Sequence, residues 1–347
     1  MKTNGHLGAL RWDAENHALK FRATFRHAHS LARQLVFSRL TRQDLGLKEA
    51  IRHALDYQTT SDYPYVLKYC FCRREEDGDA IARILAAVHL LQTSTMITDD
   101  IFDVSHQRYG RSVLNRKYGI SQAIIVAELF QSRALESISC ELETGRLRNA
   151  CRVPALLNRI LAECYLGQYL DIATSGNPEV SLAAYYRVIR LCAGNFFAHL
   201  AACGALLANK KTREIEALAR FGYNYGMGLF ITDDVVDITD PPSQTGKGLA
   251  PDLKGRRMRL PMILALRLSR PDQARLLRQF LRSPHISRAA TLAALKLIRN
   301  SGALQTCQAK AQAYLRRAKE ALTSVETPLT RERLAWLCDS LFTAQGF

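Results

Sequence analysis

Two short segments of the 347-residue chain concentrate carboxylates at one repeated spacing. Residues 99–103 and 233–237 each carry aspartates at their first, second and fifth positions. Positions i and i+4 lie on one face of a helix, so the first and fifth aspartates of each segment point the same way. The six carboxylates are Asp99, Asp100, Asp103, Asp233, Asp234 and Asp237.

Carboxylates this close together repel one another unless solvent or cations neutralise them. Hard divalent cations prefer oxygen ligands, and magnesium typically bridges one or two carboxylates to substrate phosphates. The pattern therefore predicts that the six aspartates bind Mg²⁺ and that two clusters facing across a cavity hold a diphosphate. The competing interpretation is a solvated acidic helix end or an N-cap. Two copies, 134 residues apart and each at the end of an apolar run, favour the metal site.

The chemistry that such a site supports is the departure of a diphosphate. Metal ions withdraw charge from the leaving group, and basic side chains placed in advance add to that effect. Loss of diphosphate from an allylic carbon leaves a delocalised carbocation. An apolar cavity that excludes water then decides whether this cation meets an alkene or water.

The elements that must position the clusters are predicted to be helices. Apolar residues recur at three- and four-residue spacing over most of residues 81–298, and alternating strand patterns are scarce. The densest loop signal lies at residues 240–248, and no break resembles a long interdomain linker. We therefore predict an all-α fold, a single large helical bundle whose polar and metal sites lie between facing helices around a central cavity.

Composition narrows the class of protein. With 48% hydrophobic and 23% charged residues, the chain is typical of a globular protein with a sizeable core. The net charge of +16 suits an anionic substrate or an acidic surface, but the basic clusters lack the interleaved aromatics of a nucleic-acid platform, so we expect no nucleic-acid partner. The nine cysteines form no CxxC pair, which argues against a zinc site or a disulfide framework. We expect no transmembrane segment and a cytoplasmic location, since no run of 18 apolar residues and no secretory signal are found.

These segments resemble the motifs of the trans-isoprenyl diphosphate synthases, the polyprenyl synthetase family that includes farnesyl and geranylgeranyl diphosphate synthases. Residues 99–103 and 233–237 are similar to its two aspartate-rich motifs, and residues 167–171 to its Gly-Gln-x-x-Asp segment. Gly246-Lys247 followed by Leu260-Pro261 is similar to the tail beyond the second motif. The resemblance covers roughly residues 80–265.

The resemblance implies an isoprenoid-synthase fold, a homodimer, three Mg²⁺ ions and an allylic prenyl diphosphate as substrate. It implies catalytic roles for Asp99, Asp103, Asp233 and Lys247. Arg108 and Gln168, again with Lys247, would contact the diphosphate. We divide the chain into an N-terminal helical extension, residues 1–60, and a catalytic domain, residues 61–347.

The departures from the family pattern fall mostly on one function. Members usually open with Gly-Gly-Lys-x-x-Arg-Pro, which binds isopentenyl diphosphate, and residues 61–67 lack both of these basic residues. The second arginine after the first motif is Tyr109. Because each lost charge-assisted hydrogen bond is worth about 1.5–3 kcal/mol, a second diphosphate should bind weakly.

Three further departures concern the predicted cavity, and the second and third of them make it more apolar. Gln92 replaces a histidine, Cys192 replaces a lysine, and Phe230 replaces the glutamine before the second motif. An apolar, aromatic-lined cavity suits a carbocation that folds back onto its own chain. The leading prediction is therefore a terpene synthase that ionises farnesyl or geranylgeranyl diphosphate and completes the reaction by cyclisation or elimination.

Several alternatives stay open. A chain-elongating prenyltransferase would condense isopentenyl diphosphate with an allylic diphosphate, if Lys68, Arg73 or Arg111 rebuilds the lost site. Prenyl transfer to an acceptor without a diphosphate is another. A non-catalytic subunit of a heteromeric prenyl synthase is disfavoured because both motifs are intact.

Two groups of residues outside the motifs also call for an interpretation. Arg256, Arg257 and Arg259 form either a solvated face or part of a lid over the diphosphate. Three histidines are interpreted as structural, with satisfied hydrogen bonds, and not as general bases: His89, His106 and His199.

Overall fold

The computed structural model describes residues 4–41, 43–56, 62–108, 110–145, 150–239 and 249–343. Almost all of these residues are helical, which confirms the predicted all-α fold. The α-helices are α1 (Asn4–Phe37), α2 (Leu45–Asp56), α3 (Asp62–Phe71), α4 (Ala82–Phe102), α5 (Leu114–Tyr118), α6 (Ile120–Glu143), α7 (Val153–Thr174), α8 (Leu182–Ile189), α9 (Asn195–Leu207), α10 (Thr212–Thr239), α11 (Pro251–Lys254), α12 (Leu260–Leu268), α13 (Pro271–Arg282), α14 (Arg288–Asn300), α15 (Ala303–Ala321) and α16 (Pro328–Thr343).

Short irregular elements complete the described part of the chain. Strands β1 (Gln107–Arg108) and β2 (Arg111–Ser112) pair antiparallel, with Arg108 opposite Arg111. The 3₁₀ turns are Glu75–Ile81, Ala150–Arg152 and Leu322–Ser324. A π-helical turn, Arg190–Gly194, joins α8 to α9. Such turns are rare in proteins, and those that occur often lie at functional sites.

A first hydrophobic core gathers α1 to α4 with α6, α7 and α9. On α1, Ala28, Ala32 and Val36 recur every four residues and form a buried stripe against this core. Apolar burial of a leucine or isoleucine contributes about 1.5–3 kcal/mol per side chain, so α4, whose middle turns are buried, anchors the first carboxylate segment firmly. The proposed boundary at residue 60 lies among residues 57–61, outside the described part, and that division of the chain stays a prediction.

A second core lies around α8 and α12 to α15, and α10 connects the two cores. Phe221 and Tyr225 of α10 pack in the first core, whereas Met227 and Ile231 pack in the second. Helix α9 approaches the same helix closely at Gly222, where a Cβ atom would overlap the carbonyl group of Phe197. Because α10 is packed on several sides, the carboxylates near its C-terminal end have a fixed place.

Two helices end next to residues with left-handed backbone angles. Gly145 and Asn209 follow helices and have positive φ angles of 67° and 52°. The strongest predicted loop, residues 240–248, lies outside the described residues, and Lys247 lies with it.

Two helical stretches are long and apolar enough, by length and composition alone, to cross a membrane. They are Glu75–Phe102 and Leu182–Leu207, and 67% of the 18-residue apolar stretch within each is buried inside the protein. Burial to that extent fits core helices of a bundle.

His89 on α4 is fully buried against α1. Its ring centroid lies 5.3 Å from that of Phe25 and 5.5 Å from that of His29. Within the described residues neither ring nitrogen has a hydrogen-bond partner, so the expectation that its hydrogen bonds are satisfied is wrong. Burial, reinforced by His29, lowers the pKa of His89 to about 3.

This depressed pKa makes stability depend on pH. The unfolded imidazole titrates near 6.5, so His89 contributes stability fully above that pH and loses it as the pH falls toward 3. Between pH 6.5 and pH 5.0 the loss is about 2 kcal/mol. We expect urea unfolding of His89→Leu to lack this part of the decline. The remainder reflects groups such as His29, whose pKa burial and Arg33 also lower.

The control for this prediction is His285→Leu, which changes an exposed histidine. It should keep the full decline between pH 6.5 and pH 5.0. Equal declines in His89→Leu and His285→Leu would contradict the assignment.

Candidate active site

The first carboxylate cluster, residues 99–103, lies at the C-terminal end of α4. The side chains of Asp99 and Asp103 are 33% and 22% exposed, as expected for two carboxylates on one open face. The Asp100 side chain is only 2% exposed. Successive residues on a helix are about 100° apart, so Asp100 faces the protein interior while Asp99 and Asp103 remain partly exposed.

The β1–β2 hairpin places Arg108 against this cluster. Its guanidinium donates to Asp100 at 2.9 and 3.1 Å and to Asp99 at 3.2 Å. Burial raises the pKa of Asp100, and the Arg108 charge opposes that effect. Arg108 was predicted to contact diphosphate, and the structure places it at the clustered carboxylates, where it offsets part of their negative charge.

Helix α7 contributes a second group to the same cluster. The Gln168 amide nitrogen donates to Asp99 from the adjacent helix. Its neighbour Gly167 faces Cys192 of the π-helical turn, and a Cβ atom at Gly167 would overlap the Cys192 sulfur. The glycine therefore lets α7 and this turn approach closely, and the approach fixes Gln168 at the cleft.

The second cluster, residues 233–237, lies near the end of α10. Asp233 is exposed and Asp237 is half-buried, whereas Asp234 is buried. Asp234 accepts hydrogen bonds from the Tyr185 hydroxyl at 2.7 Å and from the backbone N–H of Leu260 at 3.2 Å. Burial raises the pKa of Asp234 to about 7, against the lowering effect of Arg259. Thus Asp100 and Asp234, both predicted as metal ligands, hold internal contacts in this structure.

A continuous chain of ion pairs joins the two clusters. Arg257 contacts Asp103 at 2.5 Å and Asp171 at 3.4 Å. Arg259 contacts Asp171 at 3.0 Å and Asp234 at 3.7 Å. The order across the site is therefore Asp103, Arg257, Asp171, Arg259, Asp234. Sequence left these arginines as a solvated face or a lid, and Arg257 is in fact buried, with 5% of its side chain exposed.

Burial also affects the exposed side of the first cluster. It raises the pKa of Asp103 to about 7, together with the neighbouring charge of Asp99 and against that of Arg257. The six clustered aspartates and Asp171 also outnumber Arg108, Arg257 and Arg259, the three arginines of the described residues that contact them. A divalent cation would relieve that excess.

Tyr63 of α3 belongs to an aromatic cluster. Its ring packs on Phe196 and Phe197, with centroids 4.3 and 5.0 Å away. Burial raises the pKa of Tyr63, and the charges of both Asp233 and Asp99 add to the effect. Both clusters therefore lie near enough to Tyr63 for their charges to act on it.

The residues named as cavity-lining lie in three different helical segments. Phe230 on α10 lies under the Arg259 guanidinium, 5.4 Å from ring centroid to Cζ. The Cys192 thiol lies 3.8 Å from the carbonyl oxygen of Cys164. Gln92 on α4 is buried two turns before Asp99.

The basic residues that might rebuild a second diphosphate site are engaged elsewhere or solvated. Lys68 pairs with Glu75 at 3.4 Å. Arg111 donates to the carbonyl oxygen of Asp56, and Arg73 is exposed. Val66, at the position of the family arginine, is fully buried.

The donor set fits magnesium only in part. Among the described residues, no three side chains of aspartate, glutamate, histidine or cysteine are grouped closely enough to hold a metal ion alone. Magnesium, however, commonly uses one or two carboxylates and completes its shell with water and substrate phosphates. Asp99 with Asp103, and Asp233 with Asp237, supply such pairs of hard oxygen ligands. The residues therefore fit an ion that arrives with an anionic substrate.

Fold and site together define an all-α protein in which a chain of buried ion pairs joins two aspartate clusters. The sequence of this chain matches the family model for polyprenyl synthetases over residues 63–298. The chain therefore belongs to the polyprenyl synthetase family.

Individual relatives are diphosphate synthases. The geranylgeranyl diphosphate synthase of Mycobacterium tuberculosis is 33% identical over 195 residues, which cover 54% of this chain and 53% of that protein. The octaprenyl diphosphate synthase of Escherichia coli is 26% identical over 202 residues, covering 58% and 60%. The match thus spans about half of the first relative and three fifths of the second.

Solved structures agree on the fold. A polyprenyl synthase from Caulobacter crescentus, complexed with calcium and isoprenyl diphosphate, superposes with a TM-score of 0.81 at 24% identity, covering 90% of this chain and 94% of that one. A decaprenyl diphosphate synthase from Rhodobacter capsulatus gives a TM-score of 0.81 at 19% identity, covering 95% and 99%.

The ion-pair chain predicts a large stability cost at its centre. Asp171→Ala removes the carboxylate that Arg257 and Arg259 share, leaving two buried guanidinium groups short of a partner. We expect the free energy of unfolding to fall by about 3–5 kcal/mol in urea titrations at pH 7.

Asp272→Ala is the matched control, because Asp272 pairs with an arginine on the surface. Its effect should stay below about 1 kcal/mol. Similar costs for the two variants would show that the buried chain is not a stabilising element.

Proposed function

We propose that this protein ionises an allylic prenyl diphosphate with the help of magnesium. It then transfers the prenyl group to isopentenyl diphosphate, which gives a longer prenyl diphosphate. The observation that carries the proposal is a pair of incompletely buried carboxylates in each of two clusters that a chain of ion pairs joins. Asp99 and Asp103 share one face of α4, and Asp233 and Asp237 share one face of α10. Asp100 and Asp234 support this arrangement from within the protein.

Each side chain has a defined task in the proposal. Asp99, Asp103, Asp233 and Asp237 would hold Mg²⁺, which would neutralise the diphosphate and stabilise its departure. Gln168 and Arg108 orient and partly neutralise Asp99. Lys247 keeps its predicted role as a diphosphate contact. The Caulobacter crescentus structure supports this use of the cleft, since that protein is complexed with calcium and isoprenyl diphosphate.

The relatives favour elongation over terpene formation. Their names are those of geranylgeranyl, octaprenyl and nonaprenyl diphosphate synthases. In the proposed reaction the bond from the allylic carbon to oxygen breaks, and its electron pair leaves with the diphosphate. The alkene of isopentenyl diphosphate then forms the new carbon–carbon bond, and loss of a proton restores a double bond. This alternative takes precedence over the terpene synthase that sequence alone favoured.

Formation of a terpene from one substrate remains the second candidate because of one observation. At the positions where sequence placed the lost cations, Tyr63 presents an aromatic ring and Val66 is buried. Lys68 is held by Glu75. A second diphosphate would therefore depend on cations from elsewhere in the chain.

A homodimer is part of the proposal. Helices α6 and α7 present exposed apolar side chains on neighbouring surfaces: Ile120, Ile124, Ile125, Leu166, Tyr169 and Ile172. Exposed apolar side chains that are grouped in this way, and not scattered singly, are typical of a protein interface.

The activity is tested by offering geranyl, farnesyl and geranylgeranyl diphosphates singly with Mg²⁺, each with and without isopentenyl diphosphate. We expect longer prenyl diphosphates only when isopentenyl diphosphate is present. Asp103→Ala should lower the rate at least about 100-fold, because a ligand of the leaving group's counter-ion is lost. Asp79→Ala, a change at an exposed aspartate outside the cleft, should leave the rate unchanged.

A hydrocarbon or alcohol formed from one allylic substrate alone would instead establish the second candidate. No consumption of any allylic diphosphate would overturn both.

The interface is tested by Ile125→Arg, which places a charge in the exposed apolar patch. Light scattering should report a dimer for the unaltered chain and a monomer for this variant. Lys254→Glu, a change at an exposed residue of α11, should remain dimeric. A dimer that persists in Ile125→Arg would place the interface elsewhere.

A further inference from the structure

The Arg257 guanidinium lies against a carboxylate that the proposed function assigns to metal. One of its nitrogens contacts an Asp103 oxygen at 2.5 Å and the carbonyl oxygen of Phe102 at 3.0 Å. Its other terminal nitrogen lies 3.4 Å from Asp171. Because only 5% of its side chain is exposed, Arg257 is a buried cation and not a surface residue.

A cation at this place must affect metal binding. Asp103 already shares one oxygen with Arg257, and a divalent ion beside the guanidinium would meet a like charge in a partly desolvated site, where charges interact more strongly than in water. Metal binding and the contact between Arg257 and Asp103 therefore compete.

The backbone around Arg257 is fixed, which confines any movement to the side chain. The N–H of Gly176 donates to the carbonyl oxygen of Arg256 at 2.9 Å, and the N–H of Arg257 donates to that of Asp252 at 2.8 Å. Arg256 holds a left-handed φ angle of 55° that makes this turn tight. The guanidinium keeps Asp171 as a second anchor, so it can leave Asp103 without leaving the site.

We propose that Arg257 is a positioning residue that occupies Asp103 in the free protein and releases it when a diphosphate draws the guanidinium toward itself. Free metal then binds weakly, and metal and diphosphate bind together. This inference rests on the proposed function for the identity of the anion. It adds to that function an ordered, cooperative loading of the site.

The cooperativity is reciprocal by thermodynamic linkage: diphosphate raises metal affinity by the same factor by which metal raises diphosphate affinity. Removing the guanidinium should abolish the competition. Arg257→Gln should therefore bind metal at least about fivefold more tightly than the unaltered chain when no diphosphate is present. Diphosphate should then raise metal affinity less than it does in the unaltered chain.

The experiment is a Mn²⁺ titration followed by electron paramagnetic resonance, without and with inorganic diphosphate, and corrected with a protein-free titration for Mn²⁺ bound to diphosphate. No carbon chain is present, so nothing turns over. Arg256→Gln is the matched control: it removes the same charge one residue away, from a side chain without a contact to Asp103. It should bind Mn²⁺ like the unaltered chain.

Arg257→Met gives a second variant that suits the buried position if Arg257→Gln fails to fold, and it should also bind Mn²⁺ more tightly. Unchanged affinity in the Arg257 variants, or an equal gain in Arg256→Gln, would overturn the proposal. The variant Asp103→Asn distinguishes a failure of the proposed metal site from a failure of the role proposed for Arg257. Mn²⁺ binding that does not depend on Asp103 would overturn the metal site of the proposed function and this inference with it, whereas Asp103-dependent binding of unchanged strength overturns this inference alone.

Discussion

The site depends on one physical constraint: two buried arginines share the carboxylate of Asp171. A buried charge is tolerated when it is paired, and Asp171 is the partner that Arg257 and Arg259 have in common. Each arginine also reaches one of the two aspartate clusters. Asp171 lies on α7, the helix that also supplies Gln168 to Asp99. The relative position of α4 and α10 near the cleft is thus set by charge pairing as well as by the two apolar cores. In this account the positive charges that pair with the clustered carboxylates are also available to an anionic substrate.

Much of this could be predicted from sequence, and the limit has a physical reason. The repeated aspartate spacing and the apolar periodicity predicted helices, the two clusters and a site between them, because both patterns depend on neighbours along one helix. Spacing did not predict that Asp100 and Asp234 would serve internal contacts, although the 100° step between successive helical residues already places them off the shared face. The partners of Arg257 and Arg259 include residues that are distant along the chain. Asp171 and Arg259, for example, are 88 residues apart, and no local pattern reveals such a pair. The exposed arginine face that sequence allowed is instead a buried network.

The function involves a tension between family and site. The relatives are elongating synthases. In this chain, however, Tyr63 lies among aromatic rings, and Lys68 is already paired with Glu75. In the proposed function both possible reactions begin with the same ionisation, so the carboxylates and Arg108 would serve either one. They differ in what meets the carbocation: an alkene carrying its own diphosphate needs an additional site for that negative charge, and an alkene of the same chain does not. Residues 240–248, which include Lys247, separate the second cluster from the buried arginine pair along the chain and belong to the same question.

The claim at the centre of this account is that both clusters act on one diphosphate. A double-mutant cycle tests it most directly, with Asp99→Asn, Asp233→Asn and the double variant compared by release of inorganic diphosphate from farnesyl diphosphate and isopentenyl diphosphate in the presence of Mg²⁺. Residues that act as a unit are strongly non-additive, so the account predicts that the double variant loses little more rate than the worse single variant. Rate losses that multiply, as for independent sites, would contradict it.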